Sequence, residues 1–103
     1  MNLFKLPEKL PEGELCEILQ AGHGVRVERV VSRGHASPDG FWYDQQAQEW
    51  VAVLAGEGVI AYPDGREVTL RPGDTLFLPA HQKHRVARTT KNPPCIWLCV
   101  FFD

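Results

Sequence analysis

The sequence predicts an all-β fold, a small barrel or sandwich of short strands. Apolar segments of strand length recur along the 103 residues, and turns rich in Gly, Pro and Asp separate them. No apolar pattern of helical period runs further than about two turns. Short strands at such close spacing are typical of barrels and sandwiches.

The predicted elements form a single domain, with residues 1–24 as a short irregular arm and residues 25–103 as the barrel. The arm is rich in Pro, Glu and Lys, and it includes a short element of uncertain type at residues 15–20. Asp64-Gly65 is typical of a tight hairpin turn. The predicted barrel strands cover residues 25–31, 41–45, 49–55, 59–62, 68–70, 75–78, 83–87 and 96–102.

The last predicted strand is apolar on both faces. Its alternating residues are Ile96, Leu98, Val100 and Phe102 on one face and Cys95, Trp97, Cys99 and Phe101 on the other. A barrel covers only the inner face of its strands, so the outer face should meet other apolar surface. We expect the arm, a second subunit, or both to cover it, and we predict a homodimer.

Composition and charge exclude several classes of protein. The 11 basic and 13 acidic residues are interspersed and give a formal charge of −2, unlike a protein that binds nucleic acid or an anionic membrane. No apolar run approaches the roughly 18 residues of a spanning helix, and the N-terminus lacks the apolar stretch of a secretion signal. The 3 cysteines do not suggest a disulfide framework. We expect a cytoplasmic protein.

Two segments carry candidate functional side chains. Asp44 and Glu49 flank a polar turn, and Glu49 points to the same side of its strand as Val51. His81 and His84 lie three residues apart, after a later strand. If the strands are neighbours in one small barrel, two carboxylates and two imidazoles can converge at one point.

This combination predicts a site for a divalent transition metal ion: zinc, manganese, iron, cobalt or nickel. Imidazoles argue against calcium, and carboxylates argue against copper(I). Simpler interpretations stay open, because Asp44 could be an exposed turn residue and His84 a core histidine with satisfied hydrogen bonds.

The chain resembles the cupin superfamily in its small, single-domain form. The segment from Gly73 through Pro79 to His84 is similar to the second cupin motif, and Glu49 followed by Gly56 is similar to the end of the first. The resemblance covers most of the chain. It implies a double-stranded β-helix, or jelly-roll barrel, with metal ligands in its mouth, including Glu49 and His84.

The chain departs from the family pattern at two places. The first-motif histidines would fall at Trp42, which cannot bind a metal, and at Asp44, which can. His81 replaces the glycine that the family usually has between Pro79 and His84. One typical histidine ligand is therefore lost, and another imidazole appears nearby.

The sequence supports more than one class of function. The first is a metal-dependent enzyme that acts on a small organic acid or sugar-like substrate, with the ion polarising a substrate oxygen. The alternative is a non-catalytic barrel that binds a small ligand, with or without a metal. A purely structural dimerising domain is the third. Cupins include dioxygenases, isomerases and decarboxylases, so the resemblance does not select a reaction or decide whether the protein is an enzyme.

Overall fold

The structure is a computed structural model that describes all 103 residues, and it consists of eight strands without a helix. The all-β prediction is confirmed. The strands are β1 (Leu15–Gly22), β2 (Val25–Ser32), β3 (Gln48–Ala55), β4 (Gly58–Ala61), β5 (Glu67–Leu70), β6 (Thr75–Leu78), β7 (Arg85–Thr89) and β8 (Cys95–Phe102). Nothing in the structure is a helix of the length and polarity that crossing a membrane would need.

The strands form two antiparallel sheets that face each other. The larger sheet has five strands in the order β1-β2-β8-β3-β6, and the smaller has three in the order β5-β4-β7. β8 lies in the middle of the larger sheet, between β2 and β3. Its two neighbours come from segments far from it in the chain, as a jelly-roll barrel requires.

The core lies between the two sheets. On β3, Val51 and Val53 are buried inside while Trp50, next to Val51, is 38% exposed on the outer face. The same alternation places the inner residues of β8 in the core. The nine core residues are Val51, Val53, Ile60, Tyr62, Leu70, Leu78, Cys95, Trp97 and Cys99.

The hairpin predicted at Asp64-Gly65 is confirmed. It joins β4 to β5, and the antiparallel pairing of these strands covers Gly58 to Ala61. Gly65 has a φ of 93°, a left-handed value that glycine adopts without steric strain. Its N–H donates to the carbonyl of Tyr62 at 3.0 Å, which closes the turn.

The irregular arm is shorter than the predicted residues 1–24. Residues 15–22 form β1, which pairs with β2 from Leu15 opposite Val31 to Gly22 opposite Val25. β1 is an edge strand with mostly half-buried or exposed side chains, so the apolar alternation in its sequence is weak. Only residues 1–14 precede the first strand.

Arg29 of β2 holds this arm against the larger sheet. Its side chain is buried, and its guanidinium donates to the backbone carbonyls of Leu3 and Lys5, both at 3.0 Å. The carboxylate of Glu17 neutralises it at 2.6 Å. The arm therefore lies against β1 and β2, whereas the outer face that the sequence predicted to be covered belongs to β8.

Residues 41–45, predicted as a strand, form a single bridge instead. The N–H of Tyr43 donates to the carbonyl of His84 at 2.7 Å, and the N–H of His84 donates to the carbonyl of Tyr43 at 3.2 Å. This bridge lies just before β7, which begins at Arg85 rather than at residue 83. It fixes where the side chains of both segments point.

Candidate functional site

A cavity of about 260 Å³ opens between the two sheets, and it is called the barrel cavity below. Its wall consists of 16 residues, of which 10 are hydrophobic. The polar groups come from four places: the start of β1, β2, residues 43–45, and the facing residues Glu49 and His84. A mostly apolar cavity with a few polar groups is the usual form of a small-molecule site.

Glu49 is one of the residues that line this cavity. It is 7% exposed, since it shares the inward face of β3 with Val51 and Val53, as the sequence predicted. Burial raises the pKa of Glu49, while hydrogen bonding with Cys99 and Gln45 lowers it in part. The net result is a carboxyl group that holds its proton more tightly than an exposed glutamate does.

His84 faces Glu49 across the cavity and is 4% exposed. Its Nδ1–H donates to the carbonyl of Gln82 at 2.8 Å, which leaves the Nε2 lone pair facing Glu49. The ring stacks on Tyr43, with centroids 5.2 Å apart. Burial lowers the pKa of His84, opposed by the bond to Gln82, so the neutral imidazole is favoured.

The distance between Nε2 of His84 and Oε1 of Glu49 is 3.9 Å. That is longer than a hydrogen bond, and both residues line the same cavity. A ligand oxygen could therefore contact both side chains at once. The two residues that the sequence analysis expected to share an inner site do so.

Asp44 and His81 form a separate pair outside the cavity wall. Nδ1 of His81 lies 2.8 Å from Oδ1 of Asp44, and the side chains are 65% and 45% exposed. His81 has a φ of 62°, an unusual conformation for a residue other than glycine, at the position where the family has a glycine. The structure thus divides the four predicted metal ligands into two pairs.

The register of residues 42–45 explains this division. Tyr43 and Gln45 line the barrel cavity, whereas Trp42 and Asp44, which the sequence analysis matched to the family's histidines, are exposed. Neighbouring residues of an extended segment point to opposite sides, so an alignment shifted by one residue changes which pair faces inward. The inward-facing positions hold a phenol and an amide rather than two imidazoles.

These residues do not fit a transition-metal centre. No group of three or more His, Cys, Asp or Glu side chains lies close enough to hold an ion. A catalytic zinc site uses three protein ligands, and the cavity offers Glu49 and His84. Burial and the neighbouring Glu49 raise the pKa of Cys99 well above its usual value, so that residue is a neutral thiol rather than a thiolate ligand.

Sequence reasoning missed several residues of the cavity wall. Tyr43 and Glu28 are not among the predicted site residues, although both line the cavity. Glu14 was assigned to the arm, yet it lines the cavity. Glu28 follows Val27 on β2, so their side chains point to opposite faces of the sheet. A charged residue on one face of a strand usually points to solvent, whereas Glu28 points into the cavity.

A match to the family model described as "Cupin domain" covers residues 30–101 of this chain. The chain is a cupin. It is similar over 100% of its length, at 42% identity and a TM-score of 0.91, to a protein from Ralstonia eutropha JMP134 described provisionally as a mannose-6-phosphate isomerase. The match covers 96% of that protein.

Other solved cupins share the fold at lower identity. A cupin superfamily protein from Desulfitobacterium hafniense DCB-2 is 21% identical, with a TM-score of 0.76 over 93% of this cupin and 83% of its own length. The TT1209 protein from Thermus thermophilus is 22% identical, with a TM-score of 0.79 over 99% of this chain and 94% of its own length. No protein with a curated description matches the chain.

Proposed function

We propose that this cupin binds a small sugar-like carbonyl compound in the barrel cavity and that Glu49 and His84 transfer a proton on it. The observation that carries the proposal is the buried carboxyl and imidazole, 3.9 Å apart and facing one cavity. Two titratable groups placed in the same desolvated cavity are a common arrangement for acid–base chemistry.

The chemistry that fits this pair is isomerisation next to a carbonyl group. Nε2 of His84 carries a free lone pair, so it can accept the proton from the carbon beside the carbonyl. Burial raises the pKa of Glu49, which favours its protonated form, so Glu49 can donate a proton to the carbonyl oxygen. The product of these two transfers is an enediol. His84 then delivers its proton to the former carbonyl carbon and Glu49 takes the proton of the other hydroxyl, which completes the isomerisation and restores both side chains.

The comparison with the Ralstonia protein supports the reaction class. That protein is described provisionally as a mannose-6-phosphate isomerase, and it is 42% identical to this cupin. Interconversion of an aldose and a ketose is a proton transfer between adjacent carbons, which the Glu49–His84 pair can perform. The phosphate group of the substrate in that description concerns substrate specificity and not the reaction class.

Deuterium exchange tests the proposal. The purified protein is incubated in D2O with mannose or fructose, and NMR follows exchange at the carbon beside the carbonyl. We expect exchange in the wild type and a loss of about 10²–10⁴-fold in His84→Gln. His81→Gln is the matched control and should exchange normally, because His81 belongs to the outer pair.

The same samples distinguish proton transfer by the side chains alone from a metal-dependent reaction. Elemental analysis before and after chelation measures zinc, manganese, iron, cobalt and nickel. Exchange that survives chelation supports proton transfer by the side chains alone. Exchange that disappears with the metal and returns on its addition would contradict it. Binding of a sugar without any deuterium exchange would indicate a sugar-binding protein rather than an enzyme.

A further inference from the structure

The charged residues of the barrel cavity are unevenly distributed in sign. The carboxylates of Glu14 and Glu28 line it with Arg26 as the one guanidinium, while burial favours the protonated form of the third carboxyl group, Glu49. Burial lowers the pKa of His84, against the opposing effect of its bond to Gln82, so the neutral imidazole is favoured. A phosphorylated ligand would need more positive charge than this wall supplies.

Arg26 is already engaged at the mouth of the cavity. Its Nε donates to the carboxylate of Glu28, and its guanidinium lies 4.5 Å from the ring centre of Phe101. The side chain of Arg26 is 46% exposed, whereas that of Glu28 is 16% exposed. This pair cancels one positive and one negative charge, and the charge of Glu14 is left without a cation.

Glu14 is held in place by a chain of hydrogen bonds from the core. The indole N–H of Trp97 donates to the hydroxyl of Ser32 at 3.0 Å, and that hydroxyl donates to the carboxylate of Glu14. Ser32 and Trp97 are both buried. Because the donors are rigid, the negative charge of Glu14 is fixed at the cavity edge rather than free to turn into solvent.

The negative charge of this wall acts on its neighbours. Burial, then the charge of Glu14, then that of Glu28, raise the pKa of the Cys16 thiol. Burial, with Glu14 next, also raises the pKa of Tyr43. Both residues line the cavity, so the field of these carboxylates reaches across it.

The aromatic part of the wall also favours a cation. Tyr43, Trp97 and Phe101 line the cavity, and the faces of aromatic rings attract ammonium and guanidinium groups. Arg26 already makes such a contact with Phe101. The wall therefore offers a positive ligand both carboxylate and aromatic contacts, whereas Arg26 is its one cationic group.

We infer that the barrel cavity selects against anions, so that its ligand is a small molecule without negative charge and an ammonium-bearing sugar binds best. The inference rests on the proposed function for the choice of sugar-like ligands. It separates this cupin from the phosphorylated substrate named for the Ralstonia protein.

Three probes of the same skeleton test it: mannosamine, mannose and mannose 6-phosphate. Titrations at neutral pH are followed by NMR on the Trp97 indole N–H, which lies in the cavity wall, while the other two tryptophans, Trp42 and Trp50, are exposed. We expect affinity to fall in that order, with at least about tenfold between the amine and the phosphate.

Two variants test the role of the charges. Glu14→Gln should weaken the binding of mannosamine more than the binding of mannose. Glu28→Gln frees Arg26 and should strengthen mannose 6-phosphate. Glu67→Gln, an exposed carboxylate on β5 of the smaller sheet, is the matched control and should change none of the three.

The outcomes separate this inference from the proposed function. Equal or tighter binding of mannose 6-phosphate to the wild type overturns the charge selection and leaves the proton-transfer proposal intact. The expected order together with no deuterium exchange supports the selection and contradicts the catalysis. Failure of all three probes to shift the Trp97 signal at millimolar concentration counts against both.

Discussion

At the scale of single residues, the burial of Glu49 in the cavity lowers the stability of the folded protein. Burial raises its pKa, so the folded protein binds this proton more tightly than the unfolded chain does. The folded state is therefore penalised at pH values above the folded pKa. The penalty disappears as the pH falls to the unfolded value of about 4.5.

We expect Glu49→Gln to stabilise the protein at pH 8 by roughly 1–3 kcal/mol, the cost of a poorly compensated buried polar group. The gain should shrink as the pH falls, because the wild-type carboxyl then becomes neutral as well. Urea unfolding of both proteins across the pH range measures it. A gain that does not depend on pH would contradict the assignment.

Gly58 is a second residue whose identity the cavity requires. A Cβ at this position would overlap the ring of Trp97, which forms part of the cavity wall. Gly58→Ala must displace that ring, so we expect a loss of about 1–3 kcal/mol and a shifted Trp97 indole signal. Gly13→Ala is the control, since nothing lies within 4 Å of its Cβ. Equal stability of the two variants in urea unfolding would show that Trp97 moves freely.

At the scale of elements, the N-terminal arm depends on one buried cation. Arg29 is 2% exposed and donates to three backbone carbonyls of the arm and to Glu17. Removing it leaves those carbonyls and a carboxylate without their donor. Arg33 and His35 contact the carbonyls of Pro11 and Glu12, so Arg29 should control the order of residues 1–6 rather than of the whole arm.

Replacing Arg29 by Met should release residues 1–6 and lower stability by about 3–5 kcal/mol, the usual effect of breaking a buried ion pair. Hydrogen exchange and limited proteolysis report the arm, and urea unfolding reports the stability. Arg66→Met is the control, because its pair with Asp64 is exposed and should matter by less than about 1 kcal/mol. Protection of residues 1–6 from exchange and proteolysis in Arg29→Met would contradict this interpretation.

At the scale of the whole molecule, part of the apolar outer face is left uncovered by the arm. Val25, Trp50 and Phe77 are 41%, 38% and 48% exposed. They lie on neighbouring strands around β8, since Val25 is opposite Phe102 and Trp50 is opposite Phe77. Phe77 also stacks with Phe102 at 6.3 Å, so the patch is continuous.

We propose that a second copy of the chain covers this patch, as the apolar last strand predicted. Size-exclusion chromatography with light scattering should give twice the monomer mass of 11.6 kDa. Trp50→Lys and Phe77→Lys should give monomers with unchanged circular dichroism, because a charge cannot be buried there unpaired. Trp42→Lys, on an exposed aromatic outside the larger sheet, should stay dimeric. A monomeric wild type at high concentration refutes the dimer.

The sequence predicted some parts of this fold better than others. The strands around Glu49 and the Asp64-Gly65 hairpin were predicted because alternation and turn residues act over a few neighbouring positions. β1 was predicted only as a short element of uncertain type at residues 15–20, because an edge strand exposes most of its side chains. Residues 41–45 were assigned to a strand, although they pair at one bridge only.

The sequence by itself determined the cupin barrel and the inward direction of Glu49 and His84. The barrel and the direction of His84 follow from the resemblance of short motifs to the cupin family, and the direction of Glu49 follows from local alternation, so none of these needs knowledge of distant contacts. Only the tertiary structure decided that Tyr43 faces the cavity while Asp44 faces away, paired with His81. The physical reason is register: the bridge between residues 43 and 84 is a long-range contact, and a shift of one residue in it reverses every side chain.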